Sequence, residues 1–126
     1  MKSFAEAAEI FKKAIARYGE TWQVLKASEE CSELAQALNK YVIYKATANI
    51  EGKKESELID NIFEEMADVY IMLNQLHLIL GNTNMAFENW LEKKLERLEE
   101  RAKPGGKPFL PRKVWSSSAC SAGRSM

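Results

Sequence analysis

The sequence predicts an all-α protein of four helices. Three observations carry that expectation. Apolar residues recur at three- and four-residue spacing along most of the chain, start and stop signals cut this pattern into four segments, and no stretch shows the alternation of a half-buried strand. The chain has 126 residues, 46% apolar and 29% charged, which suits a single ordinary core and neither a disordered nor a membrane-embedded chain.

The first helix is expected over residues 4–18. Ser3 and Glu6 stand at capping-box spacing, so the hydroxyl can accept from the backbone three residues on while the carboxylate returns the bond, and Gly19 supplies a stop. The second runs from about Thr21 to about Ala46, with Leu34, Leu38, Tyr41 and Val42 at helical spacing. A polar linker at 49–55, containing Gly52, leads to a third helix that begins near Ser56 and stops at Gly81. A cap at Thr83 or Asn84 opens the fourth. It continues to Lys103 with Phe87, Leu91, Leu95 and Leu98 as its stripe, and Pro104-Gly105-Gly106 ends it.

The third helix is apolar on every face between residues 69 and 80, with Ile71, Met72 and Ile79 on the side away from Met66, Tyr70 and Leu73. A helix apolar all round has to be buried all round. Four helices of one short chain have difficulty enclosing one of their own, so a homo-oligomer is expected, a dimer or a dimer of dimers. The plainer alternative puts this helix at the centre of the monomer.

Residues 1–103 form the expected domain and 104–126 a tail. The formal net charge is zero, from 18 Lys+Arg against 18 Asp+Glu, and shows no basic excess of the kind a general nucleic-acid binder needs. That neutrality is composite. All the acids lie in residues 1–103, whereas the tail carries Lys107, Arg112, Lys113 and Arg124 and no acid. The tail is polar and small in side chain, so it is expected to be a mobile extension, with Phe109, Leu110, Val114 and Trp115 able to latch back.

Cys31 in a helical pattern and Cys120 in the Ser-rich tail make no disulfide framework, which points to a reducing compartment. The N-terminus has acids where a signal peptide has its apolar run, and the longest apolar stretch is the five residues Val69-Tyr70-Ile71-Met72-Leu73. Neither export nor membrane spanning is expected, and the location is expected to be cytoplasmic.

Two segments repeat one acidic pattern on successive long helices: Glu29-Glu30-Cys31-Ser32-Glu33 and Glu64-Glu65-Met66-Ala67-Asp68. Residues three and four apart share a helix face, so each segment gathers its carboxylates within one turn. Antiparallel packing of the two helices would bring them together as a box of four. Glu30 falls on the line of Ala27, Leu34, Ala37 and Tyr41 with Glu33 on its flank, and Asp68 stands one turn before Ile71 and Met72. Carboxylates aimed inward repel one another and lose hydration unless a cation neutralises them or their proton affinities rise. Oxygen donors with no His or Cys among them suit a hard divalent ion, Mg²⁺ first and Mn²⁺ as a substitute. The competing reading is a solvated acidic face, and it weighs most for Glu29 and Glu64 on the outer sides of their helices.

The pattern EExxE followed on the next long helix by ExxD resembles the metal-binding signature of the all-α nucleoside triphosphate pyrophosphohydrolases, which include MazG-like proteins, dimeric dUTPases and dCTP pyrophosphatases. It reads here Glu29-Glu30-x-x-Glu33 and Glu65-x-x-Asp68, and the flanks Leu34-Ala35-Gln36-Ala37-Leu38-Asn39-Lys40-Tyr41 and Ala67-Asp68-Val69-Tyr70-Ile71-Met72-Leu73 are similar to small MazG-like proteins of phages and bacteria. The likeness covers roughly residues 14–101. The chain departs from short MazG units in its spacer, with 31 residues between Glu33 and Glu65.

The resemblance implies a four-helix MazG-like bundle completed by dimerisation. It also implies cleavage of a (deoxy)nucleoside triphosphate between the α and β phosphates, giving the monophosphate and pyrophosphate. Glu30, Glu33, Glu65 and Asp68 would hold Mg²⁺, and Glu29 or Glu33 would take the proton from the attacking water. Lys40, two turns after Glu33, and Lys94 and Arg97 on the fourth helix are the cations offered to the phosphates, with Arg101 a weaker candidate. For the base, Trp22, Tyr41, Tyr44, Met72 and Trp90 are stacking candidates and Asn39 and Asn74 hydrogen-bonding ones, although such residues are more often core or exposed. His77 reads as a core or interface residue. The absence of Glu-x-x-His disfavours a di-iron carboxylate bundle, and the non-enzymatic alternative is a helical interaction module with a solvated acidic face.

Overall fold

The computed structural model describes residues 1–47 and 54–106. They form α1 (Phe4–Tyr18), α2 (Glu20–Thr47), α3 (Glu55–Leu80), a short 3-10 turn at Thr83–Met85 and α4 (Ala86–Ala102), with no strand among the described residues. None of these helices is long and apolar enough to cross a membrane.

The capping box forms as its spacing requires. The Glu6 backbone N–H donates to Ser3 Oγ at 3.2 Å and the Ser3 N–H donates to Glu6 Oε2 at 2.7 Å. That second bond, to the charged form, holds the Glu6 carboxyl below its ordinary range. At the other end Gly19 has φ 91° and donates its N–H to the Ile15 carbonyl at 2.9 Å. Glycine adopts a positive φ without a Cβ clash, so one residue suffices to stop α1 before α2 begins.

α2 and α3 are antiparallel, because residue numbers rise on one as they fall on the other: Gln23 meets Gln75, Glu33 meets Glu65 and Lys45 meets Glu55. The seam follows the sequence pattern. On α2 the buried residues are Gln23, Ala27, Glu30 and Ala37, with Leu34 and Tyr41 half-buried, a strict alternation of four- and three-residue steps. On α3 Leu58, Met72 and Gln75 are buried, with Glu65 and Asp68 half-buried between them. Such spacing keeps one face toward the partner helix. α1 packs against both.

The opposite face of α3 is uncovered. Phe63, Met66, Tyr70 and Leu73, again in three- and four-residue steps, are each 46% to 62% exposed. Among the described residues, this apolar stripe of α3 stays exposed.

The chain falls into two units, Met1–Thr83 and Asn84–Met126. The boundary coincides with two consecutive left-handed residues, Asn84 (φ 56°) and Met85 (φ 55°). This corrects the expected Thr83 or Asn84 cap. The residue preceding α4 is Met85, whose side chain makes no capping hydrogen bond, and Thr83 and Asn84 belong to the short 3-10 turn before it. In the second unit α4 is exposed along its whole length, with Lys93 Nζ 5.1 Å from the centroid of the Trp90 ring and Lys103 bonded to Glu100 at 2.6 Å. The tail from 107 onward and most of the 49–55 linker lie outside the described residues.

Candidate metal centre

The midpoint of the α2–α3 seam is where a packed interface meets the acidic repeats. Glu30 and Glu33 share a face of α2, and the antiparallel register sets Glu65 of α3 against them. One donor oxygen from each of the three lies within 4.8 Å of the others, and among the described residues this is the group of acids that converges closely enough to hold an ion.

Glu30 is only 5% exposed. Its Oε1 accepts from Lys26 Nζ at 2.6 Å, but its Oε2 is buried with no hydrogen-bond partner. Glu65 Oε2 is buried and unpartnered as well. A buried carboxylate oxygen without a donor loses its hydration and regains nothing, a cost that a proton or a cation removes.

Glu33 records the same frustration in its proton affinity, which is raised. The main cause is the Glu30 carboxylate, to which only a protonated Glu33 can donate; desolvation adds to it, followed by the negative charges of Glu30, Glu65 and Glu29. Lys26 shows the complementary effect. Its ammonium is held charged chiefly by the hydrogen bond to Glu30.

The donor chemistry fits a hard divalent cation. All donors are carboxylate oxygens and two buried oxygens lack a partner, the oxygen chemistry that suits such an ion. Asp68 does not join this trio. It lies with Glu30 on the wall of an adjoining cleft of about 750 Å³, so the expected box of four is a close group of three with the fourth carboxylate beside it. Glu29 and Glu64 are exposed, and Glu29 Oε2 is 3.4 Å from Lys26 Nζ.

The cleft belongs to α1, α2 and α3. Its cations are Arg17 and Lys26, its aromatic rings Tyr18 and Trp22, and its apolar floor Ile71 and Met72. Gln23, also on the wall, donates through Nε2 to Gln75 Oε1 at 2.8 Å in a buried bridge between the two long helices. Of the sequence candidates for base contact, Trp22 and Met72 reach this cleft. Tyr41 instead lies 6.0 Å from Lys45 Nζ, Asn74 donates to the Tyr70 carbonyl, and Trp90 packs under Lys93.

The cations that line the cleft are Arg17 and Lys26. Lys40 is exposed on α2 and is not on the cleft wall, while Lys94 and Arg97 are exposed residues of α4 in the second unit. Lys26 was legible as the residue four before Glu30, and Arg17 as the last-turn cation of α1. Neither lies in the acidic repeat, so neither stands out until α1 and α2 are folded beside α3.

No family model, curated protein or solved structure matches this chain.

Proposed function

We propose that the protein is a Mg²⁺-dependent nucleoside triphosphate pyrophosphohydrolase of the MazG-like all-α type, with Mn²⁺ as a possible substitute, acting on a cytoplasmic (deoxy)nucleotide pool. The observation that carries this reading is the convergence of Glu30, Glu33 and Glu65, two of them with orphaned buried oxygens, beside a cleft that holds two cations and two aromatic rings. A metal-binding triad alone fits many reactions. The cleft narrows them, because a nucleotide presents a polyanion at one end and a stacking surface at the other.

In this reading Glu30, Glu33 and Glu65 bind the ion and Asp68 completes its surroundings. Bound Mg²⁺ would neutralise charge on the phosphates and lower the pKa of the attacking water. Glu29 or Glu33, whichever the ion does not fully engage, is the candidate general base. The water oxygen bonds to the α phosphorus, the bond from that phosphorus to the α-β bridging oxygen breaks, and pyrophosphate leaves. The water proton passes to that carboxylate. Arg17 and Lys26 face the phosphates from the cleft wall, with Trp22 and Tyr18 available to the base; Lys40 ranks behind them as a further phosphate contact.

The exposed stripe Phe63, Met66, Tyr70 and Leu73 supports a homodimer in which a second copy covers α3. The same stripe also favours the second reading, a non-enzymatic helical interaction module. Sedimentation at micromolar concentration tests the dimer, and a monomer there contradicts it. Phosphorus NMR of a nucleoside triphosphate panel, with and without Mg²⁺, tests the activity. The expected products are a monophosphate and pyrophosphate in the Mg²⁺ samples only; no turnover of any triphosphate overturns the enzyme reading and leaves the module.

A further inference from the structure

Among the described residues, the cation that pairs with Glu30 is Lys26. The two ends of this pair differ. The Glu30 side chain is 7% exposed and fixed in the α2–α3 seam, whereas the Lys26 side chain is 45% exposed and lines the cleft. Lys26 Nζ is 2.6 Å from Glu30 Oε1 and 3.4 Å from Glu29 Oε2, so the ammonium spans the motif's first two acids. Glu30 Oε2 stays buried and unpartnered, so the ammonium satisfies only half of the carboxylate.

A divalent ion held by Glu30, Glu33 and Glu65 would stand close to that ammonium. It would draw on the same Glu30 charge and repel the lysine, and both effects weaken the ion pair. The lysine stem is long and rotatable, so its head can leave a seam carboxylate without moving α2. Arg17 lines the same cleft, and a polyanion seated there would meet both cations.

We propose that Lys26 is an exchanging counter-ion: it holds Glu30 while no metal is bound and transfers to the substrate phosphates when metal and nucleoside triphosphate bind together. This rests on the metal-site reading above. Its consequence is coupling: Lys26 opposes metal binding to the protein alone and favours binding of the metal–nucleotide complex, so each ligand strengthens the other.

The test is a Mn²⁺ titration followed by electron paramagnetic resonance of the free ion, using full-length protein, K26M and K26R. Each is titrated with Mn²⁺ alone and with a triphosphate analogue whose α-β bridging oxygen is replaced by methylene. K26M should bind Mn²⁺ alone about three- to tenfold more tightly and the Mn²⁺–analogue complex about tenfold more weakly, with K26R close to the parent in both. Weaker Mn²⁺ binding by K26M alone would make Lys26 a simple positioning group for Glu30 and overturn the exchange. Unchanged affinities in both titrations would reduce it to an ordinary surface pair and overturn the exchange equally. A parent protein that binds no Mn²⁺ instead removes the metal-site reading itself, and the exchange with it. Circular dichroism melts of K26M establish that the helix is retained.

Discussion

The α2–α3 hairpin and α4 are both rich in glutamate, yet their acids do different things. α4 carries Glu88, Glu92, Glu96, Glu99 and Glu100 in 17 residues, interleaved with Lys93, Lys94, Arg97 and Arg101, and every residue of it is exposed. On the hairpin, Glu30 is buried, Glu33 and Glu65 are half-buried, and their oxygens converge. Acid content does not separate the two regions. What separates them is whether an acid occupies a seam position: Glu30 follows Ala27 by three and precedes Ala37 by seven, so packing the helix puts its carboxylate inside.

The largest expected effects break that contrast in activity. Glu30→Gln, Glu33→Gln and Glu65→Gln should each lower kcat/KM for pyrophosphate release by at least about 100-fold. The pair Glu92→Gln and Glu96→Gln on α4 should stay within about twofold of the parent. Equal losses from both sets would erase the distinction between a site and a solvated face.

Stability offers the next test. Ala37 is 3% exposed in the seam, so Ala37→Leu overpacks it and should cost about 1–3 kcal/mol in urea denaturation, while Leu95→Ala on exposed α4 should cost less than about 0.5 kcal/mol. Gln75→Ala strands the buried Gln23 amide and should cost about 1–3 kcal/mol, with Gln23→Leu/Gln75→Leu together recovering part of it. Ser3→Ala removes the capping hydroxyl of α1 and should cost about 1 kcal/mol.

The smallest effect is in pH. Glu33 holds its proton more tightly in the folded chain than at the ordinary glutamate value of 4.5, so the stability it contributes is complete below that value and is lost as pH rises through the raised one. Thermal melts of metal-free protein should therefore show a fall above pH 4.5 that Glu33→Gln reduces. Stabilisation by Mg²⁺ should grow over the same interval, because the ion competes with that proton.

Much of the architecture was legible because its signals are local. The capping box and Gly19 mark both ends of α1, and seam periodicity marks α2 and α3. The start of α4 was misread because Asn84 and Met85 turn left-handed, a conformation that composition does not announce for methionine. The inward aim of Glu30 followed from its place beside Ala27, and its meeting with Glu65 followed from antiparallel packing. The Lys26–Glu30 spacing is readable on α2 alone, but the place of Lys26 and Arg17 on a cleft wall and the Gln23–Gln75 bridge did not follow, because each needs a neighbouring helix: the cleft wall joins residues from 17 to 72, and the bridge spans 52 positions.

The central claim is that the hairpin carboxylates form a divalent-cation site and those of α4 do not. Calorimetric titration of Mg²⁺ into the parent, Glu65→Gln and Glu92→Gln/Glu96→Gln proteins tests it most directly. Saturable binding by the parent and the α4 variant, with at least about tenfold weaker binding by Glu65→Gln, is the predicted result. Mg²⁺ affinity that is unchanged in Glu65→Gln, or lost in the α4 variant, would contradict it.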